Sequence, residues 1–239
     1  MKTGAIIFSR MRSKRFPGKA MRDISGKPLI QRVLERTQKI KLIDHICIAT
    51  SDLEQDDIIS NYAISKGIDL YRGDEDDVAM RAFKASALFK YDCFVRICGD
   101  RPFFDGKIVD EMIKIHKMHK NDLTTNMFPR IIPCGLTVEI INVSTLSKII
   151  NETKDKHHRE HLTSYIYNNP NNFKIENIES LPNLNFDIQD LDITVDTIDD
   201  IEKIEYVARE LTNSNQYNDF HEVIDLLKKY KKYDYTRNT

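Results

Sequence analysis

An α/β fold on a mainly parallel central sheet is what this sequence predicts. Three observations lead there. Over the first ~120 residues, short apolar runs alternate with segments of helical periodicity, the signature of βαβ units. From about residue 122 the rhythm changes to shorter, more antiparallel-looking strands. No internal repeat, low-complexity stretch or linker interrupts the 239 residues, so one domain over 1–239 is expected. Within it, about 122–180 should form a less regular region.

The elements follow in order. Gly4 to Ser9 is a compact apolar run, read as a buried strand, and a basic loop follows it. Pro28 opens a helix whose Ile30, Val33, Leu34, Thr37 and Ile40 recur near helical spacing. His45 to Thr50 is a second strand. Asp56 to Lys66 reads as a helix with Ile58, Ile59, Tyr62 and Ala63 inward, and Gly67 stands where a C-terminal cap belongs. Ile68 to Tyr71 is a third strand, Asp77 to Lys90 a helix, and Cys93 to Cys98 a fourth strand ending at Gly99-Asp100. Asp105 can cap a helix carrying Ile108, Met112 and Ile115.

Leu123 to Met127 and Leu136 to Ile141 then look like strands. Helices are expected at Ser144 to Glu152 and Arg159 to Tyr167, and a strand at Phe173 to Ile178. Ile193 to Asp196 returns to the core pattern as a strand. Ile198 to Leu211 and Asp219 to Lys229 are closing helices, the last with Asp219 and Glu222 placed like a capping box, before a polar tail expected to fray.

Composition narrows the function. With 41% apolar and 31% charged residues the chain reads as an ordinary soluble globule. Its formal net charge of −1 implies no general attraction to nucleic acid or anionic membrane. No run approaches the ~18 apolar residues of a membrane span, and Ala5 to Phe8 is too short for a signal-peptide core. Cys47, Cys93, Cys98 and Cys134 form no C-x-x-C pair or zinc pattern, and the first three lie in strand-like runs. Buried free thiols and a cytoplasmic location are therefore expected. His157, His158 and His161 lack the H-E-x-x-H pattern, so they are read as surface histidines plus one pocket histidine.

Arg10 to Lys19 holds five basic residues in ten, directly after the first strand. Ligands of open parallel sheets bind at the carboxyl ends of strands. Guanidinium forks and an ammonium suit a triphosphate, and Gly18 allows close backbone approach. Neither the Walker loop nor the dinucleotide fingerprint is present. Asp100 and Asp196 each end a core strand, where carboxylates can hold a magnesium ion that also takes phosphate oxygens. Each could instead be a turn or helix cap.

Taken in order, several motifs resemble one family. They are Arg10-x-x-Ser13-x-Arg15-x-Pro17-Gly18-Lys19, Gly26-Lys27-Pro28-Leu29, Arg72-Gly73-x-Glu75-Asp76-Asp77-Val78, Arg96-Ile97-x-Gly99-Asp100-x-Pro102, Gly135-Leu136-x-Val138-Glu139, Arg159-Glu160-His161-Leu162-Thr163 and Thr194-Val195-Asp196-Thr197. This order resembles the spore coat polysaccharide biosynthesis (SpsF-type) cytidylyltransferases, related to CMP-KDO and CMP-sialic acid synthetases. The resemblance implies a nucleotide-diphospho-sugar transferase (Rossmann-like) fold. It implies CMP transfer from CTP to a sugar, with Mg2+ as cofactor, a 3-deoxy-2-keto sugar acid as the first candidate acceptor, and a homodimer joined through the less regular region.

By the same resemblance, Arg10, Ser13, Arg15 and Lys19 hold the nucleotide phosphates, and Lys19, Asp100 and Arg15 form the catalytic set. Arg72 and Asp77 lie at the base pocket, Asp100 and Asp196 hold the metal, and Arg101, Glu139, Arg159 and His161 line the acceptor pocket. The chain departs from the family at Arg12 (usually glycine), Lys14 (usually a small hydroxyl residue) and Arg101 (usually cysteine). Arg101 could bind an acidic acceptor or pair with a nearby carboxylate. Another nucleotide, a neutral or phosphorylated acceptor, and a non-catalytic nucleotide-binding role remain as alternatives.

Overall fold

The computed structural model describes residues 1–130, 132–178, 191–213 and 220–237, with side chains left undescribed at 213 and 231–237. Strand β1 (Thr3–Phe8) opens the chain and lies inside the sheet. A two-stranded hairpin, β2 (Asp23–Ile24) and β3 (Lys27–Pro28), leads into α1 (Leu29–Thr37). There follow β4 (His45–Ser51), α2 (Asp57–Ser65), β5 (Asp69–Gly73), α3 (Val78–Leu88), β6 (Cys93–Cys98) and α4 (Gly106–His119). The chain continues through β7 (Leu123–Thr125), β8 (Glu139–Asn142), α5 (Val143–Glu152), α6 (Lys156–Glu160), α7 (Ser164–Asn168) and β9 (Ile175–Asn177). Helices α8 (Asp200–Asn213) and α9 (Phe220–Arg237) close it.

The seven-stranded sheet has the order β5-β4-β1-β6-β8-β7-β9. β1 pairs in parallel with β4 and β6, and β4 with β5. β8 is antiparallel to both β6 and β7, whereas β9 is parallel to β7. The antiparallel part is thus an extension of the main sheet. Alternation along β1 sends Ala5 and Ile7 to one face and Ile6 to the other. The first face is covered by α1, α2, α4, α8 and α9, the second by α3, α5 and α7. This gives the three layers of a doubly wound α/β fold. No described helix is long and apolar enough to cross a membrane.

Several elements differ from the sequence expectation. Ile58 is 46% exposed, because Ile59 and Ala63, one turn apart, define the buried stripe of α2. The single helix expected over Arg159 to Tyr167 is two. Asp155 caps the backbone N–H groups of His157 and His158, starting α6 early, and a turn closed by Ser164 N–H to His161 C=O (2.8 Å) separates α7. Ile193 to Asp196 is extended but is not a sheet strand. It is held by Ile193 N–H to the Cys134 carbonyl (3.0 Å) and Val195 N–H to the Asp100 carbonyl (3.0 Å). Cys47 and Cys93 are buried free thiols as expected, whereas Cys98 is only partly buried. Helix α9 runs on to Arg237, past the end expected at Lys229. The capping box at Asp219 lies outside the described residues.

Gly135 decides how closely the 191–196 segment can approach. Its φ is +91°, and a Cβ there would sit 2.8 Å from the Ile193 carbonyl carbon. Both the left-handed backbone and the contact exclude a side chain. Gly135→Ala should therefore lower stability by about 1–3 kcal/mol. A urea denaturation midpoint equal to the parent's would show that this packing is not constrained.

Candidate active site

A cleft of about 410 Å³ opens at the carboxyl ends of β1 and β6. Its size suits a small-molecule site. The basic loop after β1 forms one wall. Gly18, at φ +78°, turns that loop into a short 3-10 helix over Lys19–Met21. Gly18 N–H donates to the Met11 carbonyl (2.7 Å), closing the loop on itself.

The loop is anchored by Asp56, at the N-terminus of α2. Its carboxylate accepts from Met11 N–H (2.7 Å), Thr50 Oγ1 (2.8 Å) and Ser51 N–H (2.9 Å). Burial would raise the Asp56 pKa, but these hydrogen bonds, with that from the Ser51 hydroxyl, hold it below the usual range. Asp56 looks like an ordinary helix residue in the sequence, and nothing there marks this role.

Lys19 stands at the centre of the cleft. Its Nζ lies 3.0 Å from Asp100 Oδ2, 2.7 Å from the Val195 carbonyl and 3.4 Å from Asp196 Oδ1. Arg15 reaches the same Asp196 oxygen at 3.0 Å. The two carboxylates therefore converge on one point, which a cation already occupies. Neither serves as a cap. The N–H groups of Asp196 and Thr197 are instead taken by Asp200, the first residue of α8 (2.9 and 2.8 Å).

Two more of the loop cations are also matched by carboxylates. Arg10 pairs with Glu160 (2.9 Å), and Arg12 with Glu75 (3.2 Å). The hydrogen bond from Arg10 holds the Glu160 carboxyl below its usual range. His161, at the C-terminal end of α6, enters the cleft beside Glu160. Burial lowers its pKa against the opposing charge of Glu160.

Of the residues expected at the site, Arg10, Ser13, Arg15, Lys19, Asp100, Asp196 and His161 line this cleft. Arg72, Asp77, Arg101, Glu139 and Arg159 do not line it. Arg72 is held by Asp57 (2.6 Å) and by the carbonyls of Ser51 and Leu53, so its guanidinium braces the end of β4. Asp77 caps α3 and accepts a bidentate contact from Arg159 (2.9 Å from Nε, 2.5 Å from Nη2), clasping α6 to α3. Arg101 does not line the cleft, and among the described residues it pairs with no carboxylate. It donates to the carbonyl and hydroxyl of Thr137 (2.8 and 2.6 Å).

Glu139 is 1% exposed and lies behind the wall, paired with Arg96. Arg81, Arg96 and Glu160 line the cleft and were not singled out from the sequence as site residues. Arg96 was visible as the one charged residue in an otherwise apolar strand. Arg81 was hidden in the helical pattern of α3.

Asp100 and Asp196 suit a hard divalent cation, since both offer carboxylate oxygens to one position where an ammonium now stands. Among the described residues no group of three or more His, Cys, Asp or Glu side chains gathers as a metal cage. A two-carboxylate site completed by substrate oxygens and water is the pattern that magnesium takes.

Comparison with known proteins identifies the family of the chain. The profile of the cytidylyltransferase family matches residues 4–238. The spore coat polysaccharide biosynthesis protein SpsF of Bacillus subtilis is 32% identical over 180 residues, 73% of this chain and 74% of its own. A 3-deoxy-manno-octulosonate cytidylyltransferase of Geobacter metallireducens is 34% identical over 113 residues, 47% of this chain and 44% of its own. The solved structure of a cytidylyltransferase from Leptospira borgpetersenii superposes with a TM-score of 0.86 at 28% identity, covering 98% of this chain and 95% of that one. With that profile spanning nearly the whole chain, and a fold shared with a solved member, the chain belongs to the cytidylyltransferase family and is a CTP-dependent nucleotidyltransferase.

Proposed function

We propose that the chain transfers CMP from CTP to the anomeric hydroxyl of a 3-deoxy-2-keto sugar acid, with magnesium held by Asp100 and Asp196. The observation that carries this reading is the convergence of those two carboxylates on Lys19 Nζ, within a cleft walled by the basic loop. The hydroxyl oxygen attacks the α-phosphorus, the bond from that phosphorus to the bridging oxygen breaks, and pyrophosphate leaves. The hydroxyl proton passes to solvent.

Arg10, Arg15 and Lys19 would exchange their carboxylate partners for the β- and γ-phosphates and stabilise the charge on the leaving group. Ser13 and the loop backbone position those phosphates. Magnesium, when bound, polarises the phosphoryl oxygens as a Lewis acid. Holding hydroxyl and phosphorus in line is the remaining contribution of the cleft.

An acidic acceptor is supported by the name of the Geobacter relative and by the cationic lining of the cleft. A role in surface polysaccharide or glycan synthesis is supported by the name of the Bacillus relative. A cytoplasmic homodimer joined through about 122–180 belongs to the same proposal.

The test is pyrophosphate release with magnesium, each of the four nucleoside triphosphates, and a panel of such acids: KDO, legionaminic, pseudaminic and sialic acid. Release with CTP and one acid is expected. Release only with another nucleotide, or only with a neutral or phosphorylated sugar, would overturn the corresponding part. Asp100→Asn should lower kcat by roughly a hundredfold or more, the scale of losing a charge-stabilising group, while the thermal melt stays cooperative. A kcat near the parent value would remove Asp100 from the metal site. Lys19→Ala should raise KM for CTP roughly tenfold or more, the scale of one charge-assisted hydrogen bond. Titration with manganese, followed by electron paramagnetic resonance, adds a readout independent of turnover. Without its built-in cation the Lys19→Ala protein should take up manganese more tightly in the absence of nucleotide.

A further inference from the structure

We infer that Arg96 is the residue that reads the acceptor's carboxylate, with Glu139 and Tyr167 as positioning residues behind it. This assignment rests on the sugar-acid reading above. Arg96 lies on β6 directly opposite Glu139 on β8, at the step where the sheet changes from parallel to antiparallel. Asp100 follows at the end of the same strand, and the phosphate-binding loop lies on the β1 side of β6. Arg96 therefore faces the cleft from the β8 side of the reaction centre, away from the strand that carries the phosphate loop.

The guanidinium is anchored but incompletely used. Nη1 is bound to Glu139, whose carboxylate also accepts from the Tyr167 hydroxyl (2.7 Å). That hydroxyl lies 3.0 Å from Thr125 Oγ1. Among the described residues Glu139 is the one hydrogen-bond acceptor that Arg96 has, and its Nε is buried without a partner. The side chain keeps 17% of its surface open, on the cleft wall. A planar fork fixed at one end by a buried carboxylate is pre-organised to bind a second carboxylate at the other.

Its neighbourhood favours an anion. His161 and Arg10 lie close enough to share its field, and the nearest anion on that wall, Glu160, is already taken by Arg10. Glu139 itself is enclosed and fully engaged, so it holds Arg96 in place and does not touch the sugar. A guanidinium with unused donors at a cleft wall is suited to an acidic ligand that supplies the missing acceptors.

The test compares each acid of the panel with its C1 methyl ester, in pyrophosphate release with saturating CTP. The parent protein should lose roughly 10- to 100-fold in kcat/KM on esterification, the scale of one charge-assisted pair. Arg96→Lys should lose a similar factor with the free acid, mainly through KM, while KM for CTP stays unchanged. The double variant Arg96→Met/Glu139→Gln removes both charges, so neither is left buried and alone. It should treat acid and ester alike. Discrimination equal to the parent's in the double variant would overturn the assignment of Arg96 and leave the sugar-acid reading standing. Should the double variant not fold, Arg96→Lys decides alone, and an unchanged kcat/KM for the acid overturns the assignment. If the parent protein accepts acid and ester equally, the assignment of Arg96 is overturned while the sugar-acid reading stands; if it accepts none of the acids, the sugar-acid reading falls and the inference falls with it.

Discussion

A single ammonium group ties the reaction centre together. Lys19 Nζ is bound at once by the side chain of Asp100, the carbonyl of Val195 and the side chain of Asp196. Lys19 and its partners come from three segments remote in sequence, the loop after β1, the turn after β6, and the extended run before α8. The last of these is not a strand of the sheet, so its position depends on contacts of this sort. The carbonyl of Asp100 fixes Val195, that of Cys134 fixes Ile193, and the open backbone at Gly135 lets the segment come close enough for both. Asp200 then gathers the next two N–H groups and starts α8. The Asp196 carboxylate is thereby free to point into the cleft.

The same logic of fixed charge recurs away from the centre. Arg72 braces the end of β4, and Arg159 clasps α6 to α3 through the helix cap Asp77. These guanidinium groups are spent on architecture. Their value is indirect, since α6 carries Glu160 and His161 into the cleft only if it is held against α3. Arg96 and Glu139 form the most enclosed of these pairs. Burial works against the Arg96 charge, yet the acidic groups around it, Cys98 and Glu139, raise its pKa above the ordinary value. Burial alone would raise the Glu139 carboxyl, but the Arg96 charge and the Tyr167 hydroxyl hold it below its usual range. Removing one partner of a buried pair typically costs about 3–5 kcal/mol, which explains an ion pair persisting in the sheet only as a complete unit.

What the sequence disclosed and what it concealed divide along the range of the interactions. The parallel core was legible because β1, β4 and β6 are apolar runs bounded by helical periodicity, and that pattern is local. The basic loop, Asp100 and Asp196 were legible because a charged residue at the end of an apolar strand is conspicuous. The partnerships were not legible. Arg72 has the residue type of a base-contacting group, but its guanidinium is consumed by Asp57 and two carbonyls that only the tertiary fold brings near. Arg101 was drawn to Thr137 in the same way. Asp56 is the converse, a plain helix residue that anchors the basic loop through Met11. The break between α6 and α7 is not legible because Leu162, in the turn, and Ile166, on α7, are spaced like one face of a continuous helix. That turn is what brings His161 into the cleft.

Four of the five cations of the basic loop are held in paired form, and this constrains how an anionic substrate can enter. Five basic residues on one short loop would repel one another strongly if left bare. Carboxylates relieve that repulsion at Arg10, Arg12, Arg15 and Lys19, through Glu160, Glu75, Asp196 and Asp100. A triphosphate arriving there does not have to gather scattered side chains, because they are already oriented toward negative charge. On the proposed reading it would displace the carboxylates that pair with Arg10, Arg15 and Lys19. Two of those carboxylates, once released from Lys19 and Arg15, are the ones suited to a divalent cation. The exchange is therefore most favourable when triphosphate and cation enter together, since each leaves unpaired the group that the other requires. On the proposed reading each ligand takes up the partner that the other releases, which spares the fold an uncompensated charge at its centre.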